Sequence, residues 1–255
     1  FSSDPKDPLK RVLEVRTMIQ AFHKQGIRVN MDVVYNHVYE MDSNAFEKVV
    51  PYYYFRRSST GALSNGSFCN NDIDSNRLMV RKFILDSCKC WMEAYDVDGF
   101  RFDLMGVLDV ETMNAIEAQC KALKPDSMVY GEGWNMPTIL PEDMKANMGN
   151  QAKMPHIAHF NDFFREHVKG RTSPDEITMK GYCSGDTSFY DAMTSCMVGT
   201  CLNGMVKIFD QPTQSVNYVE CHDNHTSWDK LKECCKEDSR EVRIKKHKMM
   251  IGAVL

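Results

Sequence analysis

Helical and strand patterns alternate through most of the chain, and each strand pattern runs out into polar residues that a core would not choose. DPLKRVLEVRTMIQAFHKQG (7–26) reads as a helix capped by Asp7, with Pro8 in its first turn and Gly26 at its end. Its Leu9, Val12, Leu13, Met18, Ile19 and Phe22 fall mostly on one face. The strand IRVNMDVV follows, with Ile27, Val29, Met31 and Val33 alternating. A helix over about 78–95 leads into VDGFRFD, and the helix VETMNAIEAQCKALK leads into SMVYGEGW. Weaker strands end near Asn161 in HIAHFND and near Asp223 in SVNYVECHD; a charged loop then precedes a helix over SREVRIKKHKMMIGAVL. This order predicts an α/β fold with parallel strands and helices outside.

The polar strand ends are Asp32 with Asn36 and His37, Arg101 with Asp103, Glu132 with Trp134, Asn161 with Asp162, and His222 with Asp223. In a TIM (β/α)8 barrel the carboxyl ends of all strands meet on the face that carries the active site. An open doubly wound sheet is the rival, but no glycine-rich phosphate loop follows the first strand. Residues 38–76 lose periodicity and read as an irregular excursion rich in turn residues and tyrosine, of a length that usually serves function. The domain reading is therefore a partial (β/α)8 barrel over 1–37 and 77–255, interrupted by an inserted loop region at 38–76.

At 255 residues, 43% hydrophobic and 26% charged, the chain can bury a sizeable core. A net charge of −4 with scattered Lys and Arg argues against nucleic acid as a partner. No run approaches the roughly 18 apolar residues of a membrane span. The ten cysteines show no C-x-x-C and read as packed free thiols, which favours the cytoplasm over secretion. Export stays open, because the chain opens on Phe1 rather than Met.

Two facing carboxyl groups suit glycoside hydrolysis: one protonates the leaving oxygen while the other attacks the sugar carbon. Asp103 is the better nucleophile, since the neighbouring Arg101 keeps it ionised. Glu132, between two glycines and beside Trp134, has the less polar surroundings that favour a proton donor. Asp223 and His222 could bind sugar hydroxyls. Blander readings stand beside these. Arg101 and Asp103 also fit a structural ion pair, Glu132 a surface acid, and His37 and Trp134 the core. In ECHDNH only His222, Asp223 and His225 count as metal ligands, and their spacing fits no zinc pattern.

DVVYNH (32–37), GFRFD (99–103), GEGW (131–134) and ECHDN (220–224) resemble, in order and spacing, four regions of the α-amylase superfamily of glycoside hydrolases. VVPYYYFR, NGSFCNND, MVRKFILDS, DGFRFDLMGVLDVETMN and YVECHDNHTSWDKL are similar to type I pullulanases, which cut α-1,6 branch linkages in pullulan, starch and glycogen fragments. The resemblance implies a retaining double displacement. Asp103 matches the nucleophile, Glu132 the general acid/base and Asp223 the third carboxylate. Arg101, His37 and His222 match residues that hold the glucose and the nucleophile, with Asn224 in the same substrate-binding region. Asp32 matches a buried supporting acid, Asn36 a supporting amide, and Trp134 a stacking surface. The partner implied is an α-glucan. No organic cofactor is implied; an asparagine at the position of Asn36 helps bind calcium in some amylases, but no complete oxygen cage is evident and no metal is assigned.

The alternatives are α-1,4-amylase or isoamylase-like specificity, or a catalytically silent α-glucan-binding protein. The family hallmark Y-N-W-G-Y-D-P would precede Phe1, so the five strands correspond to the third to seventh of a partial barrel, with further domains in the full-length protein. Alone, such an arc leaves unpaired edges and is expected to be inactive and to aggregate.

Overall fold

The computed structural model describes residues 2–255. It divides into two compact units, one up to Ile157 and one from Ala158 to Leu255. Both are α/β, with parallel strands.

The first unit begins with α1 (Pro8–His23), whose first turn is capped by the Asp7 carboxylate, which accepts from the Leu9 and Lys10 amides. Only Ile19 is fully buried; Val12 and Val15 are half-buried, and Leu9, Leu13, Met18 and Phe22 are exposed. The inward stripe is thus 12, 15 and 19, narrower than the apolar face read from sequence. Strand β1 (Asn30–Val33) is followed by the short α2 (Ala45–Val49), then α3 (Leu78–Tyr95), β2 (Gly99–Phe102), α4 (Val110–Leu123) and β3 (Met128–Gly131). Helix α3 buries every fourth residue, Val80, Ile84, Cys88 and Met92, against the sheet. Strand β2 lies between β1 and β3 and buries all four of its residues. Asp32 of β1 is in register with Arg101 of β2, and Phe102 with Gly131 of β3.

Residues 38–76 form a hydrogen-bonded structure, not a loose loop. Phe55 bridges Ile73 and Arg57 bridges Leu63 in antiparallel pairs. The buried Asp72 accepts from the Gly66 and Ser67 amides, both at 2.8 Å, and from the Ser64 hydroxyl at 2.5 Å. Burial alone would raise its pKa, but these donors outweigh it and hold the carboxyl below its ordinary value. Arg56 pairs with Asp74 at 3.2 Å and donates to the Val107 carbonyl at 3.0 Å, which ties the insertion to the segment after β2.

In the second unit β4 (Ala158–Phe160) is followed by α5 (Asp162–Val168), α6 (Tyr190–Met197), β5 (Ser215–Val216), α7 (Ser227–Cys234) and α8 (Arg240–Val254). Strand β4 pairs with β5 through His159↔Ser215 and Phe160↔Val216. Phe164, Val168, Cys183, Cys196, Leu231 and Met250 lie in its core. Two sequence expectations change here. The last strand stops at Val216 instead of reaching Asp223, and helix α7 occupies what read as a charged loop. All ten cysteines are free thiols.

Candidate active site

In the first unit the polar residues at the ends of β1, β2 and β3 converge on Arg101. Phe100 and Phe102 of β2 enter the core, so Arg101 between them takes the opposite face. Its Nη1 donates to Asp32 Oδ1 at 2.9 Å and to Asp103 Oδ1 at 3.0 Å, while Nη2 pairs with Glu132 Oε1. Burial opposes the guanidinium charge, but the carboxylates of Glu132, Asp32 and Asp103 overcome it and raise the pKa of Arg101.

Asp103 follows β2 and continues its ladder, its amide donating to the Val33 carbonyl at 3.1 Å. The side-chain amide of the buried Asn36 donates to the Asp103 carbonyl at 2.6 Å and to Oδ2 at 3.1 Å, and its oxygen meets His37 Nδ1. The Asn36 side chain is thus engaged at both ends, its nitrogen with Asp103 and its oxygen with His37. One carboxylate oxygen of Asp103 lies within 4.8 Å of one of Glu132.

Glu132 is buried just past β3. Its setting differs from the apolar one expected: besides Arg101, the Leu104 amide donates to Oε2 at 2.8 Å. Leu104 reaches that position in a left-handed conformation, φ 39°, which is costly for a side chain with a Cβ. Gly106 is needed next door: a Cβ there would collide with the Trp134 carbonyl. Trp134 itself is half-buried.

One expectation is corrected. Asp32, read as a buried supporting acid, has a side chain 58% exposed. Strand β1 pairs only with β2 among the described residues, so the flank of Asp32 away from Arg101 is open.

In the second unit Asn161 and Asp162 serve structure. Asn161 caps α5 and donates to Ser215 Oγ at 3.0 Å, and Asp162 accepts from the Tyr218 hydroxyl. His222, Asp223 and Asn224 lie on an irregular segment beyond β5 and are exposed; His222 Nε2 is 3.6 Å from Asp223 Oδ1. Asn224 is left-handed, φ 66°. The segment is held on both sides: Glu220 accepts from the Ser227 amide, and the buried Lys169 donates to the His225 carbonyl at 2.5 Å. Burial pulls the pKa of Lys169 down to about 8. Cys221, passed over in the sequence, brings its Sγ into one group with His222 and Asp223.

No family model matches the chain. A pullulanase of Bacillus subtilis (strain 168) is 40% identical over 256 residues, covering 100% of this chain and 35% of the relative. The crystal structure of a type I pullulanase from Bacillus subtilis str. 168 complexed with maltose superposes with TM-score 0.94 at 40% identity, covering 99% of this chain and 35% of that one. Over its whole length the chain is similar to type I pullulanases. Another pullulanase structure, from Paenibacillus barengoltzii with maltohexaose and alpha-cyclodextrin, superposes at TM-score 0.93 and 42% identity, covering 99% of this chain and 39% of the other. The chain thus spans little more than a third of the pullulanases it matches.

Proposed function

We propose that the protein hydrolyses α-1,6-glucosidic branch linkages in pullulan, starch or glycogen fragments by a retaining double displacement. The observation that carries this is the pair Asp103 and Glu132, held by one guanidinium with carboxylate oxygens within 4.8 Å. Retaining glycosidases keep their carboxyls about 5–5.5 Å apart, whereas inverting ones leave about 6.5–9.5 Å for a water. The glucans bound by the related pullulanases support an α-glucan substrate. Pairing within each unit supports the finer fold reading, in which the five strands are the third to seventh of a (β/α)8 barrel and further domains complete the protein.

In this reading an Asp103 oxygen attacks the anomeric carbon while Glu132 gives its proton to the glycosidic oxygen, and the C–O bond breaks. The negative charge facing Arg101 thereby passes from Asp103, now an ester, to the deprotonated Glu132, while Asp32 stays on the same guanidinium. Glu132 then takes a proton from water, whose oxygen displaces Asp103 from the sugar. Asp223 is the third carboxylate, binding the distorted ring. Arg101, His37, His222 and Asn224 hold the glucose or the nucleophile, Asp32 and Asn36 support them, and Trp134 offers a stacking surface to the leaving group.

Full-length protein should release maltotriose from pullulan and leave unbranched amylose intact; preferential cutting of amylose removes the α-1,6 assignment. Glu132→Gln should abolish turnover and keep glucan binding. Unchanged turnover would exclude the acid/base role of Glu132.

A further inference from the structure

We propose that Cys221, His222 and Asp223 form a binding site for a thiophilic divalent metal ion of the zinc class, and that its occupancy switches hydrolysis off. In an extended strand His222 would face away from Cys221 and Asp223. The strand ends at Val216, and on the irregular segment that follows all three side chains turn together, with one ligand atom of each within 4.8 Å of the others. Ligands of a tetrahedral zinc ion, at roughly 2.0–2.3 Å from the metal, lie about 3.5 Å from one another. The His222–Asp223 distance of 3.6 Å already meets that, and small side-chain rotations bring in the sulfur.

A thiolate, an imidazole and a carboxylate are the donor mixture that zinc accepts, and three protein ligands leave a fourth position for water. A hard ion such as calcium would leave the sulfur unused. His222 and Asp223 are exposed and Cys221 half-buried, so an ion can enter from solvent. The Glu220–Ser227 and Lys169–His225 hydrogen bonds hold the flanks, which limits the ordering cost of binding. The inhibitory consequence rests on the proposed function: an ion on Asp223 and His222 takes the atoms those residues would offer to glucose.

The test uses the full-length protein with cobalt(II) as a spectroscopic probe and zinc(II) as competitor. Wild type should show a thiolate-to-cobalt charge-transfer band that zinc removes. Cys221→Ser should lose the band and at least ~100-fold in zinc affinity, since losing even an outer-shell partner costs about 10–100-fold. Replacing the exposed Cys90 by Ser should change neither. Pullulan hydrolysis by Cys221→Ser should match wild type without metal and resist the zinc that inhibits wild type. A wild type without the band, a band that survives in Cys221→Ser, or equal zinc inhibition of both proteins overturns the proposal. An absence of metal-free pullulan hydrolysis in wild type would count against the enzymatic reading, while the cobalt band still decides the site.

Discussion

Asn36 grips Asp103 at two points, donating to its main-chain oxygen at 2.6 Å and to its carboxylate at 3.1 Å. The contact joins the loop after β1 to the end of β2 and fixes both the backbone and the side chain of the proposed nucleophile. Asn36→Ala removes both bonds. It should lower kcat on pullulan by roughly 10–100-fold, because small misplacements of a reacting group cost about that much. KM should change little, since the amide touches the nucleophile, not the remote sugars. Losing a partner for a buried carbonyl should also cost about 1–3 kcal/mol, visible as a lower Tm. Wild-type kcat in Asn36→Ala would remove the positioning role.

Arg101 meets three carboxylates through two nitrogens, Asp32 and Asp103 on one and Glu132 on the other. A lysine supplies one point charge and cannot hold two acids in a fixed fork. Arg101→Lys should fold and lose about 100-fold or more in kcat, measured on pullulan. Arg101→Met should instead fail in folding, because removing one partner of a buried ion pair costs about 3–5 kcal/mol. Near-normal turnover in the lysine variant would mean that charge alone suffices.

The residues around Arg101 were legible in sequence because polar clusters recur at the ends of successive strands; Arg101 and Asp103 taken alone also fit a structural ion pair. Helices α3 and α4 were legible through their apolar spacing. Helix α7 was not: the residues it buries include Lys230, whose ammonium donates to the carbonyls of Arg171 at 2.5 Å and Glu176 at 3.2 Å. A lysine that satisfies distant carbonyls looks, in one dimension, like a solvated surface residue. The same limit hid Cys221, since three adjacent ligands match no spaced metal motif and converge only because the strand stops early. The exposure of Asp32 depends on strand neighbours, which its own sequence does not encode.

Gly106 lets the Trp134 backbone pass close to the turn after β2, and its amide donates to the Glu132 carbonyl at 3.1 Å. A methyl group there must push the Glu132–Trp134 segment away. Gly106→Ala should cost about 1–3 kcal/mol by overpacking. It should also reduce kcat, because Glu132 moves with that segment. Thermal melts and pullulan kinetics on the same preparation check both; a stable variant with full activity would show that the segment can yield.

His159 on β4 is fully buried beside Phe209, at 6.4 Å between rings, and neither ring nitrogen has a hydrogen-bond partner among the described residues. Burial without a partner favours the neutral imidazole and pulls its pKa from 6.5 down to about 4. The sign of the linkage follows: between those two values the unfolded chain binds a proton that the folded chain refuses, so stability rises with pH there. The contribution of His159 is fully present above about pH 6.5, declines as pH falls, and is exhausted near pH 4. A depression of this size corresponds to roughly 3 kcal/mol. His159→Phe keeps a ring against Phe209 and removes the titration. The stability difference between variant and wild type, followed by denaturant unfolding from pH 7.5 to about 4, should therefore shift in favour of the variant as pH falls. A difference that stays constant across that range would mean the imidazole accepts its proton within the folded unit.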